Sequence, residues 1–211
     1  MDCVWKQTHE NLILYVIDNA STDNTLSILT KTNDPRLVFI KNETNFGVAK
    51  ANNQGIIKAI EEGCDQVLII NNDVEFESTL IEKLIKAQKD NTCSLVSPKM
   101  MYFDSPQNIW YAGSWFNKSK GYLPLHRGMK ELDEGQYDEI AQVEYAPTCC
   151  LLVKKEVFQD VDLADKCHHS PKSRIQSTTP RARERNPIHC HSDLMTTHDF
   201  VPTGSTIAAL R

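Results

Sequence analysis

The chain has 211 residues, of which 40% are hydrophobic and 24% charged, and its formal net charge is -5. This composition is typical of a soluble globular domain, and the acidic balance argues against nucleic-acid binding because no basic face compensates for it. No apolar stretch approaches the roughly 20 residues that a membrane span needs, and no signal peptide is evident. We therefore expect a cytoplasmic protein, free or peripheral to the membrane.

Alternating strands and helices are predicted over the first 160 residues. The apolar runs predict strands at 12–17, 37–40, 67–70 and 94–97, with helices starting at 21–24, spanning 47–62 and starting after Ser78. Pro98 is expected to end the strand at 94–97. This β-α-β-α-β order predicts an α/β fold with a mainly parallel sheet and right-handed crossovers.

Residues 100–142 have a different character, because they are rich in aromatic residues and glycine. They indicate loops and short strands over the edge of the sheet. Their aromatic side chains either stack on a substrate or close a small satellite core, and the core is the favoured interpretation. A further strand is predicted at 143–153, followed by a helix from Lys154.

The last fifty residues carry no sustained helical or strand period. Residues 162–211 hold five of the seven histidines and four of the nine prolines. Such a segment buries too little apolar surface to offset its ordering entropy, so we expect a disordered tail. The predicted organisation is one domain over residues 1–161 and a tail over 162–211. The seven cysteines are scattered, odd in number and without a C-x-x-C pair, which indicates reduced thiols.

Two of the predicted strands run directly into polar residues. Strand 12–17 ends at Asp18 and Asn19, and strand 67–70 ends at the run 71–73, Asn-Asn-Asp. Ligands bind outside the carboxyl ends of strands in open α/β sheets. The two clusters therefore predict one site, in which Asp73 holds a divalent metal and Asp18 hydrogen-bonds a nucleotide. The alternative is that these residues only turn the chain and cap helices.

Four motifs together resemble family 2 glycosyltransferases of the GT-A fold. Residues 16–25 are similar to the strand-end signature of that family, and residues 45–56 to its next motif. Residues 68–74 resemble its D-x-D metal motif in the Asn-first form of rhamnosyltransferase-like members. Residues 135–138 and 146–158 resemble its acceptor-side segment. The order of four such motifs is more specific than any one of them.

The resemblance implies roles for individual residues. Asp73 would bind Mg²⁺ or Mn²⁺ bridging the diphosphate, with an amide at Asn71 where a carboxylate is usual. Asp18 would accept a hydrogen bond from the base of a nucleotide-diphosphate sugar, and Asn45 and Asn53 would shape the loop that faces it. The implied substrate-binding residues are Asp18, Asn19, Asn45, Asn53, Asn71 and Asn72. The acceptor would be a glycan or a lipid-linked sugar in cell-surface polysaccharide synthesis.

The chain departs from the family pattern at both ends. Members normally have a strand ahead of the helix that here ends near residues 5–8, so we expect a central strand to be missing from the sheet. The general base that the family carries after residues 156–158 is not identified, and Asp162 is a candidate by composition only. Three possibilities stay open: an active transferase, a non-catalytic remnant that binds nucleotide or self-associates, and a nucleotidyltransferase. The last would usually carry a Gly-rich basic phosphate loop near its start, and the sequence shows none.

Overall fold

The computed structural model of the protein describes residues 1–160, 188–198 and 205–210. In chain order these form α1 (Asp2–Trp5), β1 (Leu12–Asp18), α2 (Thr25–Leu29), β2 (Leu37–Lys41), α3 (Val48–Glu61), β3 (Gln66–Ile70), β4 (Val74–Phe76), α4 (Leu80–Asp90), β5 (Leu95–Tyr102), β6 (Ile109–Tyr111), β7 (Ser114–Asn117), a 3₁₀ turn (Lys118–Lys120), β8 (Leu123–His126), β9 (Ala141–Val143), β10 (Cys150–Lys154), α5 (Lys155–Asp160), β11 (Ile188–His198) and β12 (Ser205–Leu210).

A single large sheet dominates the described part of the chain. Eight of its strands lie in the order β2-β1-β12-β3-β10-β5-β11-β4, with β6 paired to β5 and β9 to β11. Five strands run in one direction, namely β1, β2, β3, β5 and β11. The α/β class and the order of elements are confirmed. The sheet is mixed rather than mainly parallel, because β12 and β10 lie antiparallel between strands of the common direction.

A central strand was expected to be missing from the sheet, but β12 lies at its centre, between β1 and β3. This strand pairs antiparallel with β1 from Leu12↔Leu210 to Ile17↔Ser205, and with β3 over Thr206–Leu210. Residues 207–210 are 0–2% exposed, so the strand belongs to the core. The backbone groups of β1 and β3 therefore find partners within the chain.

The expectation of a disordered tail is wrong for two of its segments. Residues 188–198 form β11, which runs parallel to β5, and residues 205–210 form β12. Sequence periodicity missed β12 because a strand buried on both faces needs no alternation, and its small residues, Ala208 and Ala209, carry little apolar signal. The remaining tail positions, including Asp162, lie outside the described residues.

Three local predictions need correction. Pro98 was expected to end a strand, but it lies inside β5, which continues to Tyr102. Strand β10 pairs with β5 only up to Val96, so the missing N–H of Pro98 breaks no hydrogen bond between β5 and β10. The predicted strand at 143–153 is two strands, β9 and β10, separated by residues 144–149. The short helix predicted to start at 21–24 begins at Thr25 and ends at Leu29.

Helix α1 is held beside the start of α4 by one buried side chain. The Gln7 amide donates to the carbonyls of Cys3 at 2.9 Å and Glu77 at 2.8 Å, and its oxygen accepts from the backbone N–H of Ile81 at 3.0 Å. The Gln7 oxygen thus satisfies a backbone donor in the first turn of α4, which otherwise has no intrahelical partner. Among the described residues, no helix is long and apolar enough to cross a membrane.

Trp110, Tyr111 and Trp115 of the 100–142 region pack into the core, as the favoured interpretation predicted, whereas Phe103 and Tyr122 are exposed. The Tyr111 hydroxyl, fully buried, donates to the carbonyl of Tyr145 at 2.7 Å. The His126 ring meets Tyr111 and Trp110 edge-on, at centroid distances of 5.6 and 5.9 Å. Trp110 and Trp115 pack against the main hydrophobic core, so these rings stabilise the sheet rather than offer a stacking surface.

Candidate functional site

A cavity of about 190 Å³ lies where β1 and β3 reach their carboxyl ends. Helices α1 and α2 contribute mainly apolar groups to its wall. Its polar lining residues are Asp18, Ser21, Thr25, Asn71, Asn72 and Thr206. The cavity therefore joins the two strand-end clusters that the sequence predicted would share one site. A small apolar cleft with a few convergent polar groups is typical of a ligand site.

Asp18 is fixed at the end of β1 by the turn that follows it. The side chain is 3% exposed, and its Oδ1 accepts a hydrogen bond from the backbone N–H of Ser21 at 3.0 Å. Its backbone carbonyl accepts from the N–H of Asn42 at 2.9 Å, which links the ends of β1 and β2. A buried carboxylate held in this way can accept a further hydrogen bond from a ligand donor, such as an N–H of a base.

A network of side-chain amides joins the loop after β2 to the end of β1. Asn19 donates to Asn45 Oδ1 at 2.8 Å and accepts from the backbone N–H of Phe46 at 3.0 Å and from Asn42 Nδ2 at 3.2 Å. Asn45 Oδ1 also accepts from the N–H of Gly47 at 2.9 Å. Asn42 and Gln54 exchange two hydrogen bonds, at 2.8 and 2.9 Å. The network holds the loop 42–47 against the start of α3.

The end of β3 is positioned by its partner β10. The backbone N–H of Asn71 donates to the carbonyl of Cys149 at 2.9 Å. Asn71 and Asn72 line the cavity, whereas Asp73 is outside its lining and lies towards Cys149. Burial raises the pKa of the Cys149 thiol to about 12, and the nearby Asp73 carboxylate contributes to the same shift. Asp73 therefore lies beside the cavity, near Cys149, the residue that precedes β10.

The structure thus separates the predicted site residues into groups. Asp18, Asn71 and Asn72 line the cavity itself, Asn19 and Asn45 belong to the amide network, and Asp73 flanks the cavity. Asn53 lies within α3 and is not part of the cavity lining. Asn42, Gln54 and Thr206 were not predicted as site residues. Asn42 gave no signal beyond its residue type, Gln54 lies within the matched motif 45–56 but had no role assigned to it, and Thr206 lies in the segment expected to be disordered.

The side chains at the end of β3 offer oxygen ligands only. Asp73 supplies a carboxylate, and Asn71 and Asn72 supply amide carbonyls. Within the described residues, no group of three or more His, Cys, Asp or Glu side chains is arranged to hold a metal ion. Such a donor set fits a Mg²⁺ or Mn²⁺ that takes one carboxylate from the protein and its other ligands from phosphate oxygens and water.

The fold is an α/β sheet with a cavity at the carboxyl ends of β1 and β3, which is where ligands bind in open sheets of this class. Residues 1–162 match the family model of glycosyl transferase family 2, and the chain belongs to that family. Glycosyltransferase GlyG of Streptococcus pneumoniae serotype 4 is 23% identical over 167 residues, which are 77% of this chain and 53% of GlyG. The chain thus spans about half the length of this curated relative.

Solved structures share the fold at low sequence identity. The crystal structure of GalNAc-T7 with UDP, GalNAc and Mn²⁺ superposes with a TM-score of 0.60 at 13% identity, over 89% of this chain and 37% of that one. The crystal structure of A197 from STIV superposes with a TM-score of 0.51 at 11% identity, over 89% of this chain and 84% of A197. At these identities the likeness concerns the fold, which is the GT-A fold predicted from the motifs.

Proposed function

We propose that the chain transfers a sugar from a nucleotide-diphosphate sugar to an acceptor hydroxyl. The observation that carries the proposal is the single cavity that brings Asp18 of β1 together with Asn71 and Asn72 after β3. Membership of glycosyl transferase family 2 supports it. The GalNAc-T7 structure, which shares the fold and contains UDP and Mn²⁺, supports a nucleotide and a divalent metal as ligands.

In this proposal the two strand ends perform separate tasks. Asp18, buried and oriented by Ser21, accepts a hydrogen bond from the nucleoside. The amide network around Asn19 keeps the loop 42–47 in one conformation, so that binding does not have to order it. Asn71 and Asn72 face the diphosphate, because they follow β3 at the same edge of the sheet.

Asp73 would hold the metal with the help of Asn71. A bound Mg²⁺ or Mn²⁺ neutralises charge on the departing diphosphate. Asp73 lies next to Cys149, whose pKa stays far above neutral. The Cys149 thiol is therefore protonated and uncharged at neutral pH, and it does not repel the phosphate.

The acceptor-side segment is anchored by a buried lysine. Lys99 of β5 is 3% exposed and forms ion pairs with Asp133 at 2.7 Å and Asp138 at 2.8 Å. Burial alone would lower the pKa of Lys99, but its hydrogen bonds to the two carboxylates carry that pKa above its ordinary value. Lys99 therefore stays charged and ties residues 133–138 to the sheet, where we place the glycan or lipid-linked acceptor.

A donor-turnover assay tests the proposal. The chain is incubated with Mn²⁺, a mixture of glycan acceptors and a panel of UDP-, dTDP- and GDP-sugars, and the nucleoside diphosphate released on sugar transfer is measured. We expect turnover of at least one donor, and loss of at least 10-fold in Asp18→Ala, since a bound polar group then loses its partner. Asp104→Ala, at an exposed position, is the matched control and should turn over at the wild-type rate.

The same assay separates the second candidate, a non-catalytic remnant that retains nucleotide binding. That candidate follows from the unidentified general base and predicts calorimetric binding of a nucleoside diphosphate without release from any donor. If the chain neither turns over any donor nor binds any nucleoside diphosphate, both candidates are contradicted. Circular dichroism of Asp18→Ala checks that its loss is not a failure to fold.

A further inference from the structure

Strand β12 supplies one polar group to the cavity. Thr206 is 7% exposed and lines the cavity although it lies more than forty residues beyond the family match, which ends at residue 162. The family pattern assigns no residue to this position, because β12 lies outside the matched residues. Strand β12 runs antiparallel to both its neighbours.

The strand register places Thr206 in the floor of the cavity. Thr206 pairs with Val16 of β1 on one side and with Ile70 of β3 on the other. Directly opposed residues in neighbouring strands point to the same face of a sheet, and all three line the cavity. Asp18 follows Val16 by two residues, so the strand period puts its carboxylate on that face as well.

The side chains on the opposite face of β12 pack in the core. Ile207 points to α3, where a Cβ built on Gly55 would come within 2.7 Å of Ile207 Cδ1. Residues 207–210 are buried, which fixes the register of the strand. Thr206 therefore keeps its side chain on the cavity face. Of the three paired residues Val16, Thr206 and Ile70, only Thr206 has a polar side-chain atom.

We propose that the Thr206 hydroxyl is a binding residue for the nucleoside part of the donor. A hydroxyl both donates and accepts, so it complements the Asp18 carboxylate, which accepts only. Together they present a donor and an acceptor to one ligand from diagonal positions on adjacent strands, where side chains start about 7–8 Å apart. This inference rests on the proposed function, and it makes β12 part of the binding site as well as part of the core.

The test compares Thr206→Val with Thr206→Ser in calorimetric titrations of UDP, dTDP and GDP with Mn²⁺. Valine keeps the β-branched shape that suits a strand, and serine keeps the hydroxyl. We expect Thr206→Val to weaken binding of the nucleotide that the wild-type chain prefers by about 5- to 10-fold, as for one lost hydrogen bond. Thr206→Ser should bind within about 2-fold of wild type. The thermal midpoint of ligand-free Thr206→Val should match that of wild type.

Three outcomes are informative. Equal affinity of wild type and Thr206→Val would overturn this inference and leave the proposed function intact. A loss of affinity in Thr206→Val that is matched by an equal loss in Thr206→Ser would also overturn it, because the effect would then come from packing. Absence of binding by the wild-type chain to all three nucleotides would overturn the proposed function and this inference together.

Discussion

Gly55 of α3 lies directly against Ile207 of β12: a Cβ added to Gly55 would come within 2.7 Å of Ile207 Cδ1 and 2.8 Å of Ile17 Cδ1. The helix approaches β1 and β12 closely because it carries no side chain at this position. The contact joins the part of the chain that matches the family to a strand outside that match. It thereby fixes β12 in the centre of the sheet.

Gly55→Val should destabilise the fold by about 2 kcal/mol or more. Overpacking a core typically costs about 1–3 kcal/mol, and the small helix-propensity gain of valine over glycine does not offset it. Urea unfolding measures the change. In the double variant Gly55→Val with Ile207→Ala, the cavity left at residue 207 accepts the new side chain, so the two effects should be less than additive.

Ile57→Val is the control for that prediction, because Ile57 is on the exposed side of the same helix. It should change the stability by less than about 0.5 kcal/mol. Wild-type stability of Gly55→Val would show that α3 does not pack on β12 as described.

The stability of the chain should fall as the pH rises above 9. Burial raises the pKa of Cys149 from 9.0 to about 12 and that of Cys150 well above 9.0. The folded chain therefore holds protons that the unfolded chain has lost, and each such thiol lowers the free energy of unfolding by up to about 1.4 kcal/mol per pH unit. The contribution is fully present below pH 9 and is lost towards pH 12.

Urea unfolding at pH 7, 9 and 10.5 measures this dependence. Cys149→Ala should flatten the decline between pH 9 and 10.5, whereas Cys3→Ser, at a half-exposed position, should leave it unchanged. A free energy of unfolding that stays constant between pH 9 and 10.5 would contradict the burial of these thiols.

Removing the centre of the amide network should loosen the loop 42–47. Asn19→Ala deprives the Phe46 N–H and the Asn42 and Asn45 side chains of a partner. The expected cost is about 1–3 kcal/mol, with faster hydrogen exchange at the Phe46 amide. Nucleotide affinity should fall as well, because binding must then order the loop.

Asn24→Ala is the matched control, since the Asn24 side chain forms no capping hydrogen bond at the start of α2. Its exchange rates and nucleotide affinity should equal those of wild type. An unchanged Phe46 exchange rate in Asn19→Ala would show that the network does not hold the loop.

The sequence predicted those parts of the fold whose signals are local. Apolar runs located β1, β2, β3 and the start of β5, and the three-four spacing located α3 almost to its ends. Asp18, Asn71 and Asn72 were found because each follows a buried strand directly. Long-range pairing has no local signal, so the sheet position of β12 and the place of Thr206 in the cavity lining could not be predicted from the sequence. Asn53 shows the converse: its motif is matched, yet it lies outside the cavity lining.

Calorimetric titration of UDP into the chain, with Mn²⁺ and then with a chelator, tests the central claim most directly. We expect chelation to weaken binding by at least about 10-fold and Asp73→Ala to abolish detectable binding, since losses around metal ligands commonly reach 10–100-fold. Asp23→Ala, an exposed carboxylate near β1, should bind like wild type. Equal UDP affinity with Mn²⁺ and with chelator, or in Asp73→Ala and wild type, would contradict a metal-assisted donor site at the end of β3.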